Sequence, residues 1–537
     1  MKTMTSTKKR VILAVIIALQ CALILFWGSE KRNFFLDEYY SMGYAQALTD
    51  HAPHASYITQ TDLWQENTSV HGAELMEMLT LEPEESVTVQ SFRDNAVLFF
   101  TGRNYFFLLN LSESIMHDTG ISCWPAVVLN LLIFIVSQIV FAALLGKLNC
   151  RFPFVCLGVI WYGCCPLTVG MVLYTRFYMW AAFLFLVAVF LHVIMWKDGR
   201  LWKQILCEAG ALICLYLSFR NSELVMLFGG TLIIAFSVLL LVRKRIRQCL
   251  LYVIPYLCIS FLYLSVKTRF VDALLHLSDY ASVYSVPVLS GIVRNLLSPD
   301  GTVVAERLKE AFRLYGAHMF GARPVLIVVM ALAVAAGVFL IGKKRRRCGE
   351  DGSFVLAVFW SVLADLAFLL FGGLLSQRYH FIVYSLIWIL IILVFDRFLR
   401  EKDALFKPVF VGLLCLAGAA AVLPFGFHQI YFLYPEDAEI TEELENYAGL
   451  PVMIVPDARS HNSYQGIALA GDRSDVYIVP RDASVFALED VPGSFVFLIG
   501  QDDAHEGYLN LFEQMGYTAD YLGRLRMSDV YAVEINE

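Results

Sequence analysis

Charge is what this sequence has least of. Only 17% of its 537 residues are charged and 58% are hydrophobic, whereas a soluble globular chain is about a quarter charged and roughly half apolar. That shortage, with a mean hydropathy of +0.62, excludes an ordinary soluble protein, a collagen, a low-complexity disordered chain and a nucleic-acid-binding tail. Cysteine is missing from the last hundred residues, and all 12 lie upstream. No Cys-x-x-Cys spacing occurs and Cys164-Cys165 are adjacent, so neither a zinc site nor a disulfide framework is indicated. Internal repeats are absent as well. What remains is a polytopic α-helical membrane protein.

Net charge divides the chain in two. Residues 436–537 hold twenty acidic and five basic side chains, a net −15, so the total of −7 leaves +8 on everything before them. A basic, apolar body of residues 1–434 is therefore followed by an acidic domain of residues 435–537. Short β-rich runs in that tail (Val452–Val455, Val476–Val479, Phe495–Ile499, Val530–Ile535) alternate with helical patterns at Ile440–Tyr447 and Glu506–Met515. The alternation predicts a small α/β domain. It has no Gly-x-Gly-x-x-Gly or P-loop motif, so nothing there points to a nucleotide. The division also predicts that truncation after about Leu433 leaves the membrane body folded and its donor site intact, while transfer to the native acceptor suffers more.

A membrane-spanning helix needs about 20 mostly apolar residues. By that measure the spans are 11–28, 123–146, 153–173, 177–196, 203–219, 224–242, 249–266, 324–342, 353–373, 381–396 and 406–425. No small-residue cleavage site follows the first run, which reads as a retained anchor. With the N-terminus inside, the short cytoplasmic segments collect 22 of the 41 Lys and Arg residues, Lys343-Lys344-Arg345-Arg346-Arg347 above all. The positive-inside rule then places the C-terminal domain outside a plasma membrane. Two loops on that side are too long for turns: the first, residues 29–121, and another at 267–323.

The first loop opens Phe34-Phe35-Leu36-Asp37-Glu38-Tyr39-Tyr40-Ser41. Neighbouring helical residues point about 100° apart, so the two carboxylates can take different tasks. A solvated helix N-terminus, where acids suit the macrodipole, is the plain structural alternative. Arginines stand in two outside turns, Leu173-Tyr174-Thr175-Arg176-Phe177-Tyr178 and Leu375-Ser376-Gln377-Arg378-Tyr379-His380. Their structural alternative is snorkelling to headgroups, with the tyrosines in the interfacial aromatic belt. Asp365 lies inside the ninth span, where an ionisable group usually has a partner.

A long first outside loop with Asp-Glu just after the first span resembles the GT-C superfamily of membrane glycosyltransferases, notably protein O-mannosyltransferases and the aminoarabinose transferases of lipid A. The resemblance covers about residues 1–430 and implies an inverting transfer of a sugar from a polyprenyl-phosphate donor at the outer membrane face. It makes Asp37 the general base with Glu38 in support, and Arg176 and Arg378 the donor-phosphate ligands. Tyr178 and Tyr379 follow as candidate substrate contacts. A His-Pro-rich segment found late in the first loop of relatives is replaced by Thr101-Gly102-Arg103-Asn104-Tyr105, so Arg103 and Asn104 become candidate sugar or phosphate contacts. Some members need a divalent metal and others do not; no His and carboxylate cluster here demands one. The expected partners are the lipid-linked donor, a glycan, lipid or protein acceptor, and membrane lipids, with no nucleic acid. A transporter or flippase for a polyprenyl-linked glycan is the alternative, and a non-catalytic envelope scaffold the third.

Overall fold

The computed structural model describes residues 5–536 apart from 50–64, 82–84, 86, 96–101, 117–120, 199, 223, 267–301, 303–304, 311–312, 314–348, 373–375, 401–429, 457–460, 473, 489 and 501–504. The chain forms two compact units. One gathers residues 1–24, 131–172 and 177–431, the other 25–130, 173–176 and 432–537.

The first unit is helical. Across the described residues five helices are long and apolar enough to cross a membrane: Ser6–Ser29, Trp124–Lys147, Tyr178–Lys197, Leu201–Phe219 and Arg378–Arg397. The pair Phe152–Cys164 and Pro166–Leu173, bent by 54°, makes a sixth when counted as one span. The bend follows from sequence: Cys165 precedes a proline and is extended (φ −63°, ψ 132°), because the proline ring excludes the helical conformation there. Helices Leu224–Val242, Ile246–Val266 and Gly349–Gly372 lie where three more spans are expected, with shorter apolar stretches of 10–17 residues among the described residues. The spans expected at 324–342 and 406–425 and most of the 267–323 loop lie outside the described residues. Large apolar side chains face outward, among them Leu19, Ile213 and Leu257. Such a surface is costly in water and ordinary against hydrocarbon. The chain is a multi-pass membrane protein.

Inside this unit packing is close, and two of its carboxylates have partners. A Cβ on Gly158 would lie 3.0 Å from the Leu145 side chain, which explains the glycine. Trp161 and Trp388 meet at 5.4 Å. Arg151 pairs with the buried carboxylate of Asp396, and Asp365 accepts a hydrogen bond from Thr231 Oγ1 at 2.7 Å.

The second unit is built on a six-stranded sheet: β1 (Thr68–His71), β2 (Val452–Ile454), β3 (Asp475–Ile478), β4 (Ser494–Gly500), β5 (Tyr517–Leu525) and β6 (Ser528–Ile535), in the order β1-β3-β2-β4-β6-β5. The central β3-β2-β4 trio is parallel and the outer pairings are antiparallel. All four strands expected in the tail are present. The edge strand β1 comes from the first loop and pairs with β3, Thr68 opposite Ile478.

One sheet face is covered by helix His505–Gln514 through Tyr508 and Phe512. The other carries a core to which the first loop gives Leu36, Tyr39, Leu75, Met78 and Leu79, and the tail Ile440, Leu444, Ile454, Tyr464 and Ile467. Charge changes sign near residue 434, yet the buried apolar contacts join the tail to the first loop. The helix bearing Asp37 packs in the tail's core through Leu36 and Tyr39.

Candidate functional site

The helix Leu36–Gln46 begins at Phe35, and Glu38 at its third position accepts the Phe35 amide at 2.7 Å, closing the first turn. Each of its faces has its own neighbour. Leu36 and Tyr39 enter the sheet core, where Tyr39 stacks on Tyr464 at 5.6 Å. The opposite end rests on helix Arg103–Met116: Asn110 donates to the Ala45 carbonyl at 3.1 Å, and Gln46 donates to Glu113.

Glu38 is fully buried and spent on structure. Its Oε1 lies 2.6 Å from Lys31 Nζ, whose side chain is 1% exposed, and accepts the Thr175 amide at 2.9 Å. Lys31 also donates to the Leu173 carbonyl at 3.0 Å. Both charges are thus paired and hydrogen-bonded, the condition for keeping a buried ion pair.

Asp37 is different. Its side chain retains 20% exposure, accepts the Tyr174 hydroxyl at 3.0 Å and lies 4.0 Å from the Arg176 guanidinium, itself 13% exposed. One turn on, Ser41 faces the same way, as residues four apart do on a helix. Its hydroxyl accepts from Arg176 Nη1 at 3.1 Å and donates to the Asp37 carbonyl at 2.8 Å. Tyr174 is fully buried, with its carbonyl accepting from Asn130 at 3.0 Å and its ring stacked on Phe432 at 3.9 Å. Around this group burial raises the Tyr39 and Tyr105 phenols well above their usual range, so they stay neutral. Tyr44 is also raised by burial, opposed by the nearby Arg176 charge.

The structure therefore brings together Asp37, Glu38 and Arg176. Arg103 and Asn104 stand at the start of the helix Arg103–Met116, half-buried, behind the left-handed Gly102 (φ +82°). A second group belongs to the helical unit: Arg378 lies 5.2 Å from the Tyr379 ring centroid, and Tyr379 meets Tyr178 at 6.4 Å. Lys31, Ser41 and Tyr174 were missed by sequence reasoning. Ser41 was readable as the fourth residue after Asp37; Lys31 carried no signal, because its partner is chosen by a loop. Among the described residues, no three His, Cys, Asp or Glu side chains gather as a metal site. The first loop contains two glycosylation sequons, Asn67-Thr68-Ser69 and Asn110-Leu111-Ser112, and the asparagine of the second is buried and hydrogen-bonded.

Neither a family model nor a curated protein matches the sequence. Solved structures do. ArnT from Cupriavidus metallidurans in the apo state aligns over 98% of both chains, at 10% identity and a TM-score of 0.50. The apo oligosaccharyltransferase of Archaeoglobus fulgidus aligns over 88% of this chain at 11% identity and a TM-score of 0.50. This chain spans only 65% of that enzyme's length. A structure of the same ArnT bound to undecaprenyl phosphate aligns with a TM-score of 0.45. At such identities the likeness is one of fold.

Proposed function

We propose that this chain, which has the fold of the GT-C membrane glycosyltransferases, moves a sugar from a polyprenyl-phosphate-linked donor to an acceptor at the outer face of the plasma membrane. The observation that carries the reading is the partly exposed Asp37 carboxylate beside Arg176, on a helix seven residues beyond the first span. Asp37 takes the proton of the acceptor hydroxyl as that oxygen attacks the anomeric carbon. The bond from that carbon to the phosphate oxygen breaks on the opposite side, so configuration inverts. The electron pair leaves with the polyprenyl phosphate, whose added negative charge is met by arginine forks at Arg176 and Arg378. Tyr178, Tyr379, Arg103 and Asn104 are assigned to substrate contact, and Glu38 to holding the Asp37 turn through Lys31. The clustering of basic residues in the alternate short loops supports an outward-facing site.

The test is transfer by the purified chain. A radiolabelled polyprenyl-phosphate sugar in detergent should lose its label to an acceptor, or slowly to water, and Asp37→Asn should abolish most of that loss. Labelled lipid crossing a vesicle membrane with no sugar released would instead make the protein a transporter of the donor.

A further inference from the structure

Three non-glycine residues with left-handed backbone, Phe432 (φ 66°), Tyr434 (φ 55°) and Arg526 (φ 58°), fall in one small region of the second unit. L-residues adopt this conformation only where their surroundings hold them in it. What the region touches is Asp37's support. Phe432 stacks on Tyr174, the donor to the Asp37 carboxylate. The Leu433 carbonyl accepts the Arg32 amide at 2.8 Å. Buried Asp437 accepts from Asn33 Nδ2 at 2.8 Å, while Asn33 Oδ1 takes the Phe34 amide at 2.7 Å, just before the helix begins. Asp437 is held in turn by the Arg526 amide at 3.4 Å and by its guanidinium at 4.0 Å. That guanidinium lies 3.6 Å over the Tyr434 ring and reaches Glu436 at 3.1 Å. The segment thus grips both the entry of the helix and the hydroxyl that orients its carboxylate.

We propose that Asn33, Asp437 and Arg526 are positioning residues for the transfer, a clasp by which the C-terminal domain sets the place of Asp37. This rests on the glycosyltransferase reading above. A base displaced by about 1 Å costs up to about 100-fold in turnover even when no reacting group is lost. The clasp touches no donor-phosphate ligand, so its loss should appear in kcat and leave the KM for the lipid donor in place.

In the full chain, Asp437→Asn should lower kcat about 10- to 100-fold with the donor KM within about twofold of the parent. Amide hydrogen exchange should quicken across residues 36–46 and stay unchanged in helix Tyr178–Lys197. The double variant Asn33→Asp with Asp437→Asn returns an amide-to-carboxylate hydrogen bond to the same place and should restore both readouts. Parental kcat in Asp437→Asn, or a loss that the double variant does not rescue, overturns the proposal. If Asp437→Asn does not fold, Arg526→Lys decides. It keeps the charge and the backbone amide but loses the flat contact with Tyr434, so a fall in kcat at constant donor KM is expected, and parental kcat overturns the clasp. A parent chain that transfers no sugar sinks the functional reading instead, and the exchange rates with their rescue then judge the clasp alone.

Discussion

Asp37 and Glu38 are adjacent in sequence and opposite in circumstance, so removing their charges should fail in different ways. Asp37→Asn keeps shape and leaves its neighbours mostly satisfied. The protein should melt like the parent while turnover falls by about 10²–10⁴-fold, the range for loss of a general base. Glu38→Gln leaves the Lys31 ammonium buried without its counter-charge, and breaking such a pair costs about 3–5 kcal/mol. Thermal unfolding of the two variants in detergent separates these roles, and a parental melting curve for Glu38→Gln would remove Glu38 from structure. Arg176 divides its fork between Ser41 and the Asp37 side, a geometry that an ammonium cannot reproduce. Arg176→Lys and Arg378→Lys should each weaken binding of a polyprenyl phosphate although charge is kept. Unchanged affinity in both would make them membrane-interface anchors.

At the scale of elements, the sequence was most readable where pattern is local. The four tail strands found in advance are runs of β-branched and aromatic residues, and the break at Cys165-Pro166 sits within one long apolar run. The parts that escaped lack local pattern. Strand β1 is four residues, Thr68–His71, whose reason for being a strand is β3 far downstream. Strand β5 alternates poorly because its register shifts between Tyr521 and Gly523. Helix His461–Ala470 is short and rich in small residues, so its burial against β2 rather than its periodicity decides it. Asp37 and Arg176 were each legible as candidates from the short motifs that flank apolar runs, but their pairing was not. Nor were Asn33, Asp437 and Arg526, because fold alone brings them together.

The seating of β1 gives an element-level prediction. Gly72 donates to the Ser474 carbonyl, and a Cβ there would lie 2.3 Å from the Gly471 oxygen and 2.7 Å from that of Ser474. Both obstacles are backbone and cannot swing aside. Gly72→Ala should therefore destabilise the second unit by about 1–3 kcal/mol, as overpacking does. Gly493→Ala, with nothing within 4 Å of the added carbon, should be close to neutral. Equal melting temperatures for the two variants would show that β1 is not tightly seated.

For the molecule as a whole, alkali should unfold the second unit. Burial holds Tyr39, Tyr105 and Tyr434 above the ordinary phenol value of 10.0. These groups stay protonated in the fold and ionise once unfolded. Their contribution is therefore complete below about pH 10 and is lost as pH rises from there toward the folded values. Phenolate absorbance and sheet content followed from pH 9 upward, a window set by the reference value of about 10, should change together and cooperatively. Gradual phenolate formation with the sheet intact would contradict this. Truncation after Leu433 should likewise abolish sugar release while the membrane helices persist, because it strips the core that Leu36 and Tyr39 enter. A truncated chain that still cleaves donor would free Asp37 from the tail.

The hydrogen bond between Asn33 and Asp437 joins residues 404 positions apart, and this has a bearing on how the protein is made. At a synthesis rate of about 5–20 residues per second, the first loop is made roughly 20–80 seconds before its partner exists. In that interval Leu36, Tyr39 and the strand Thr68–His71 are exposed and unpaired, and they invite chaperones or misassembly. Asp37 meanwhile stands on a helix with nothing to seat it. On the proposed reading, a nascent or stalled chain would hold its first apolar helix and Asp37 without the ability to consume donor lipid, and activity would begin only as the last strands close the sheet.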